Sequence, residues 1–505
     1  MQTLTFTLSA LGALLLHRLL NLYRGPLSHL PGPWYTKYTS LPLEYHRLTG
    51  TVTHWTHSLS LRYGPVVRLS PTRVALNDPA AWEEIHRIGA GFRKTAFHES
   101  IKLGPEQMLF GIRDVQKHRE RRKLFARALG VGLLRENWEY KVREKAELAV
   151  TRIREEAEKG TADVLKWWRL MAGDVVAFLS FGESFDLLED ARGDNESAEE
   201  GGKGEGNGRD EYFEALDSAG VNILLDSLFP QFLLRGAGKV WKGLGKIVYA
   251  NDVITERGAV AVKNLREVGG GRPNLFSNML AEADKAREGD EKATLTDDAV
   301  RSEAAGFLLA GSDTTGMALT YMVWAVLRRL DLQRRMEAEV ATLPLDFTDK
   351  DVEKLPLLNN VLDEVLRLYN PGSGNIIREV PGSGVTFHGH FIPASTIIST
   401  QQWTMVRDDK LFPDAEAFDE TRFEHATDKQ RRVAQPFGIG TRSCIGIHLA
   451  KMELRLATAL FFRECKGIKI SKDMTEDMMV QRMKFFTYPK ANRCNITLVE
   501  SLAQG

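Results

Sequence analysis

The chain has 505 residues, 43% of them hydrophobic, and 67 Lys plus Arg balance 67 Asp plus Glu. A formal charge of zero excludes a nucleic-acid binder of the globally basic kind, so no nucleic-acid partner is expected and any basic surface has to be local. Three widely spaced cysteines, Cys444, Cys465 and Cys494, exclude a disulfide framework and point to a reducing compartment, while the length exceeds an average domain without a linker to divide it.

In chain order, the first predicted element is an N-terminal membrane anchor over 1–24. Leu4 to Leu16 carries no charge, and continuation to Tyr23, with Arg18 snorkelling to the head groups, gives the roughly 20 residues that a spanning helix needs. No small-residue cleavage site follows, and Arg18 and Arg24 favour a cytosolic remainder. The competing reading is a core or interfacial helix. Pro31, Gly32 and Pro33 then disfavour helix in a hinge over 25–34, which leaves 35–505 as the globular part.

Within that part helical periodicity dominates, and strand signals are confined to short stretches such as 66–69, 74–76, 385–387 and 396–400. The fold class is therefore mainly α with small β-sheets. His118 and Arg122, four apart in a basic helical run with Arg119, Arg121 and Lys123, share one helix face. That run reads either as solvated charge or as a docking patch for an acidic partner. Residues 192–210 are rich in Gly, Glu and Asp and read as a flexible loop insertion. The sequons at Asn195 and Asn495 are expected to stay unmodified in a cytosolic protein.

The longest helix begins at Thr296, a good N-cap followed by two acids, and runs to about Leu330. Its apolar middle holds Ala310, Gly311, Ser312, Asp313, Thr314 and Thr315, polar groups that cost free energy to bury unless they serve something; a satisfied internal kink is the bland alternative. Glu364 and Arg367 share a face of the helix over 358–368, which Pro371 ends; alone, such a pair is an ordinary surface ion pair.

Last comes Phe437, Gly438, Ile439, Gly440, Thr441, Arg442, Ser443, Cys444, Ile445, Gly446. The glycines let the backbone approach a flat object, Arg442 adds a permanent cation, and Cys444 sits at a helix start where amides favour a thiolate. One thiolate in an open loop suits haem iron better than zinc or an iron–sulfur cluster. A buried packing cysteine is the bland reading. A thiol–histidine hydrolase using Cys444 and His448 is a third, although nothing nearby supplies an orienting group.

This loop resembles the haem signature of the cytochrome P450 family, and the resemblance extends over nearly the whole chain, from anchor and hinge through the motifs in their expected order. It implies a cytochrome P450 fold, with a single catalytic domain over 35–505 behind the anchor, and haem b (iron protoporphyrin IX) ligated by Cys444 within Phe437, Gly438 and Gly446. Asp313 and Thr314 resemble the pair that manages protons for dioxygen activation, facing the haem, with Gly311 widening a groove above it. Glu364 and Arg367, joined by Arg422 of the Phe418–Phe423 segment, resemble a structural triad. Arg442, Arg378 and Arg122 match propionate partners; His118 stands where the family often has Trp.

The resemblance further implies a monooxygenase that takes electrons from NADPH through a separate NADPH-cytochrome reductase, with cytochrome b5 as an optional donor, since only 59 residues follow Gly446. A single-pass enzyme of the endoplasmic reticulum membrane, acting on a lipophilic small molecule, is expected. By style the sequence resembles fungal members that tailor secondary metabolites. A haem reductase taking electrons directly from a nicotinamide is the alternative within the family. By analogy 97–112, 212–232, 304–315, 372–377 and 483–488 line the substrate pocket.

Overall fold

The computed structural model describes His17 and residues 20–190, 208–268, 274–287 and 295–498. In chain order, the elements that position the site are β1 (Val66–Ser70), β2 (Arg73–Leu76), α1 (Pro79–His86), α2 (Val115–Ala126), α3 (Glu139–Lys159), α4 (Val164–Phe181), α5 (Gly208–Leu228), α6 (Gln231–Val240), α7 (Asp297–Leu327), α8 (Pro356–Tyr369), β3 (Asn375–Glu379), β4 (Ile397–Gln401) and α9 (Ile447–Glu464). The expected class holds: a mainly helical body with small sheets.

The Thr296 side chain accepts from the Ala299 N–H, and Asp297 and Asp298 in the first turn complement the helix dipole, so α7 starts where its cap signals place it. From 315 to 327 every residue is buried, the pattern of a helix that crosses the interior. It packs on α4, itself buried along nearly all its length, and Gly316 permits the approach: a Cβ there would lie 2.6 Å from Arg169 Cγ and 3.0 Å from its backbone nitrogen. Helix α9 packs on α3 and touches α7.

The largest sheet runs β1–β2–β4–β3. β1 and β2 are antiparallel with Val66 opposite Leu76, β2 and β4 are parallel with Arg73 opposite Ile397, and β3 returns antiparallel with Ile377 opposite Ser399. The hinge does not stand off this body. Arg68 of β1, 1% exposed, donates to the carbonyls of Leu27 (3.2 Å), Leu30 (2.5 Å) and Pro33 (3.1 Å), and its backbone N–H to that of Pro31 (2.8 Å). These bonds satisfy carbonyls of a segment made of turns and bends, so 27–33 is fastened to the sheet.

The anchor read at 1–24 lies outside the described residues as far as residue 16 and again at 18 and 19; residues 20–23 are helical. Among the described residues no helix is long and apolar enough to cross a membrane. The insertion read at 192–210 lies outside them as far as residue 207, and its last three residues open α5.

Candidate active site

Between Val433 and Ile447 the chain forms a glycine-bearing loop. Gly438 and Gly440 have φ of 72° and 71°, open only to glycine at low cost; a Cβ on Gly440 would also strike the His86 carbonyl oxygen at the end of α1. The Cys444 N–H donates to the Phe437 carbonyl (2.8 Å), and Gly446, the N-cap of α9, donates its N–H to the sulfur. Cys444 therefore precedes the first helical residue by three.

Its side chain is accessible, yet the protein around it is dense enough that burial pushes the thiol up, against the opposing pull of the Gly446 N–H and Arg122. An accessible group in dense surroundings faces an internal hollow, not the outer surface. We assign the opposite wall to α7. From 302 to 327 every residue is buried except Gly306, Phe307, Ala310, Gly311 and Thr314, whose three- and four-residue spacing puts them on one face.

Beside the loop lies a set of cations short of acids; among the described residues Asp114 is the one carboxylate that acts on them, at Arg442. Arg442 donates to the carbonyls of Ile112 (2.7 Å) and Arg113 (3.1 Å), Arg122 to that of Ser443 (2.9 Å), and Arg378 to that of its neighbour Ile377 (2.8 Å). Lys94, 6% exposed, donates to the Phe110 carbonyl. None of the four makes an ion pair among the described residues. Burial lowers all four, and repulsion from the other cations adds to it at Lys94, Arg378 and Arg442: Arg378 falls to about 10 through burial and Arg442, and Arg442 to about 10 through burial and Arg122. Burial and then the same cations hold His118 down to about 3 and His98 to about 2, while burial and Arg378 hold His86 to about 3. Buried like charges are costly without counter-charge, so this cluster is built for a ligand with carboxylates.

The sequence reading brings Arg442, Arg378, Arg122 and His118 to that cluster but misses Lys94, His98 and His86. Lys94 lies in a basic pair, Arg93–Lys94, with no acid beside it; no comparable signal marks the histidines.

Asp313 and Thr314 diverge. The Thr314 hydroxyl borders the hollow and donates to the Ala310 carbonyl (2.8 Å), the back-bond a helical threonine commonly makes. The expectation that Asp313 faces the hollow with it is corrected: one residue is about 100° around a helix, and Asp313, 6% exposed, accepts from Arg169 of α4 (2.9 Å), which also holds Asp217 (2.6 Å). Burial pushes Asp313 above the ordinary carboxylate range and Arg169 pulls it back. Gly311 likewise serves packing, since a Cβ there would meet Val176 Cγ2 of α4 at 2.9 Å, not the hollow.

Glu364 and Arg367 are not a surface pair. Both are buried and share two bonds of 2.7 Å, and Arg422 reaches the same carboxylate at 3.1 Å. Arg367 also donates to the carbonyls of Val406 and Ala415, each at 2.7 Å, so the triad ties α8 to the irregular chain leading to the cysteine loop. His448 is exposed and makes no hydrogen bond to Cys444, and no three His, Cys, Asp or Glu side chains converge as a metal cage among the described residues. A metal here would have Cys444 as its lone protein ligand, as haem iron can. The accessible sulfur and the cations short of acids fit that group and its two propionates.

Comparison with known proteins agrees. The sequence model of the family described as "Cytochrome P450" matches residues 31–495. The chain is 38% identical over 487 residues to "Cytochrome P450 monooxygenase stcB" of Emericella nidulans, covering 94% of this chain and 89% of that one. Similar matches are "Cytochrome P450 monooxygenase tazI" of Aspergillus terreus, 38% identical with 96% of each chain covered, and "Cytochrome P450 monooxygenase cypX" of Dothistroma septosporum, 37% identical with 94% and 92% covered.

Proposed function

The chain belongs to the cytochrome P450 family and is a monooxygenase, and we propose that it oxidises a lipophilic intermediate of fungal secondary metabolism at a haem held by Cys444. The observation that carries this reading is the accessible cysteine beside four cations, two buried and two half-buried, none of which makes an ion pair among the described residues. Arg442, Arg378, Arg122 and Lys94 hold the propionates, with His118 beside them. Phe437, Gly438 and Gly446 shape the loop around the sulfur.

Bound there, haem supplies the activation of dioxygen. One oxygen atom enters the substrate and the other leaves as water, with two electrons drawn from NADPH through a separate reductase; cytochrome b5 is a second candidate donor. This chain's own part is to position and to handle protons. The Thr314 hydroxyl, its proton donated to the Ala310 carbonyl, offers the hollow an acceptor oxygen and gives a proton there only by turning from that bond, while Asp313 lies behind it in the Arg169 pair and reaches the hollow only through water or a change of partner. Glu364, Arg367 and Arg422 keep the loop's approach rigid. The exposed strip of α7 is short and largely apolar, which favours an apolar substrate.

We further read the protein as resting on the endoplasmic reticulum membrane, from the N-terminal segment and from α6, whose end and flanks expose Phe229, Phe232, Leu233, Val240 and Trp241. An exposed apolar set of this size on one helix calls for a partner surface.

Reconstitution in membranes with reductase and NADPH tests the whole reading. Dioxygen uptake should require the reductase, and Cys444→Ala should lose the carbon-monoxide spectrum of a thiolate-ligated haem. Retention of that spectrum would sink the assignment of Cys444. Turnover with NADPH alone would favour the directly reduced alternative.

A further inference from the structure

Between Ser100, where a short helix over Ala96–Ser100 ends, and α2 runs a stretch without helix or strand, 101–114. Segments of this length without structure of their own are uncommon in compact domains unless they bind or cover something. The second half of this one is held by Lys94 and Arg442, which donate to the carbonyls of Phe110, Ile112 and Arg113; from 104 to 109 the stretch is fastened along one line of α7. Thr296 donates to the Glu106 side chain, and the Ser302 hydroxyl accepts from the Glu106 N–H (3.1 Å). Gly104 lies so close that a Cβ would be 2.6 Å from Ser302 Oγ, and Met108 Sδ sits where a Cβ on Gly306 would be. At the centre is Glu303, 1% exposed, accepting from the Leu109 N–H (2.7 Å) and from Arg121 Nη1 of α2 (2.8 Å).

Phe110, the next residue after Leu109, is 44% exposed and meets Phe485 edge-on at 5.8 Å. One turn along α7 from Gly306, Ala310 is the exposed residue of the inner strip. The stretch thus roofs the hollow next to the strip that holds Thr314. Glu303 is the only carboxylate in this fastening buried deeply enough for its loss to leave both a cation and a backbone N–H unpaired.

We propose that Glu303 is a latch: its bonds to Arg121 and Leu109 hold 101–114 shut over the hollow and set how large a molecule enters. Glu303 is a positioning residue, acting through Leu109 and Phe110 on what the hollow admits. The inference rests on the reading of the hollow as the substrate side of a haem site.

The test uses the full-length holoenzyme and two azoles that bind haem iron, imidazole and the much bulkier bifonazole, followed by stopped-flow spectroscopy alongside hydrogen exchange. Glu303→Ala should raise the bifonazole association rate about tenfold, the shift expected when a charged hydrogen-bond set is lost from a closing equilibrium, and leave imidazole unchanged. Exchange should rise across 104–112 and not in α4. Arg121→Met, which keeps the carboxyl, should move both readouts the same way and serves if the first variant does not fold. Equal rates for bifonazole in parent and variants, equal acceleration of both azoles, or unchanged exchange across 104–112 would each overturn the latch. Failure of both azoles to shift the parent spectrum would instead count against the haem reading, and hydrogen exchange would still decide the latch.

Discussion

Glu453 on α9 is 2% exposed, and its one hydrogen bond among the described residues comes from the Thr315 hydroxyl of α7 at 3.1 Å. No cation among the described residues acts on it, so burial pushes its carboxyl from 4.5 up to about 8. The folded state therefore keeps this proton where the unfolded chain has lost it, and stability falls as pH rises from about 4.5 to about 8. Glu453→Gln removes that dependence. Its melting temperature should match the parent near pH 4.5 and exceed it increasingly towards pH 8.5, a difference worth a few kcal/mol; a gap that stays flat with pH would show that Glu453 is solvated. At this scale the cysteine loop was legible because its requirements fall on contiguous positions, two left-handed glycines and a cation around one sulfur. Lys94, Arg169 and Asp217 were not, because a buried charge is interpreted by its partner: Asp313 meets Arg169 from 144 residues away. The family resemblance set Asp313 beside Thr314 facing the haem, and it carried no sign of the Arg169 partner that turns Asp313 towards α4.

Among the elements, α7 announced itself. A capping threonine, two acids in the first turn and a long apolar run are local signals, and the helix ends at Leu327, three residues before the expected Leu330. What could not be read is which neighbour it packs on. The two glycines that face α4 look in sequence like helix weakeners; in the fold they admit Val176 and Arg169. Gly316→Val should therefore destabilise the protein by about 2–3 kcal/mol through overpacking. In α6, Gly236 has nothing within 4 Å of its would-be Cβ, and Gly236→Ala should stabilise by roughly 0.5–1 kcal/mol because the helix loses less backbone entropy. Thermal unfolding of the pair gives opposite signs if packing governs the first and backbone entropy the second. The triad of Glu364, Arg367 and Arg422 came from the resemblance and not from spacing, which gives a shared face but not the burial that the fold supplies.

For the whole molecule charges balance, while α6 and its flanks expose Phe229, Phe232, Leu233, Val240 and Trp241. A chain starting at Gly25 should still sediment with vesicles containing phosphatidylserine, and Phe232→Glu with Trp241→Glu should release it. Sedimentation unaffected by the double change would remove α6 from the contact. Helix dominance and the small sheets were legible from periodicity; the way the hinge lies on the sheet was not, because Arg68 alone gives no hint that it will collect carbonyls from residues 27–33. That clasp has a mechanical consequence. Whatever residues 1–24 hold on to, tension or tilt applied there is delivered through Arg68 into β1. The body is then held as a bracket is held to its bolt, through residues 27–33, by the guanidinium and the backbone N–H of Arg68 together and by Leu27 and Leu30 in the core beneath the sheet.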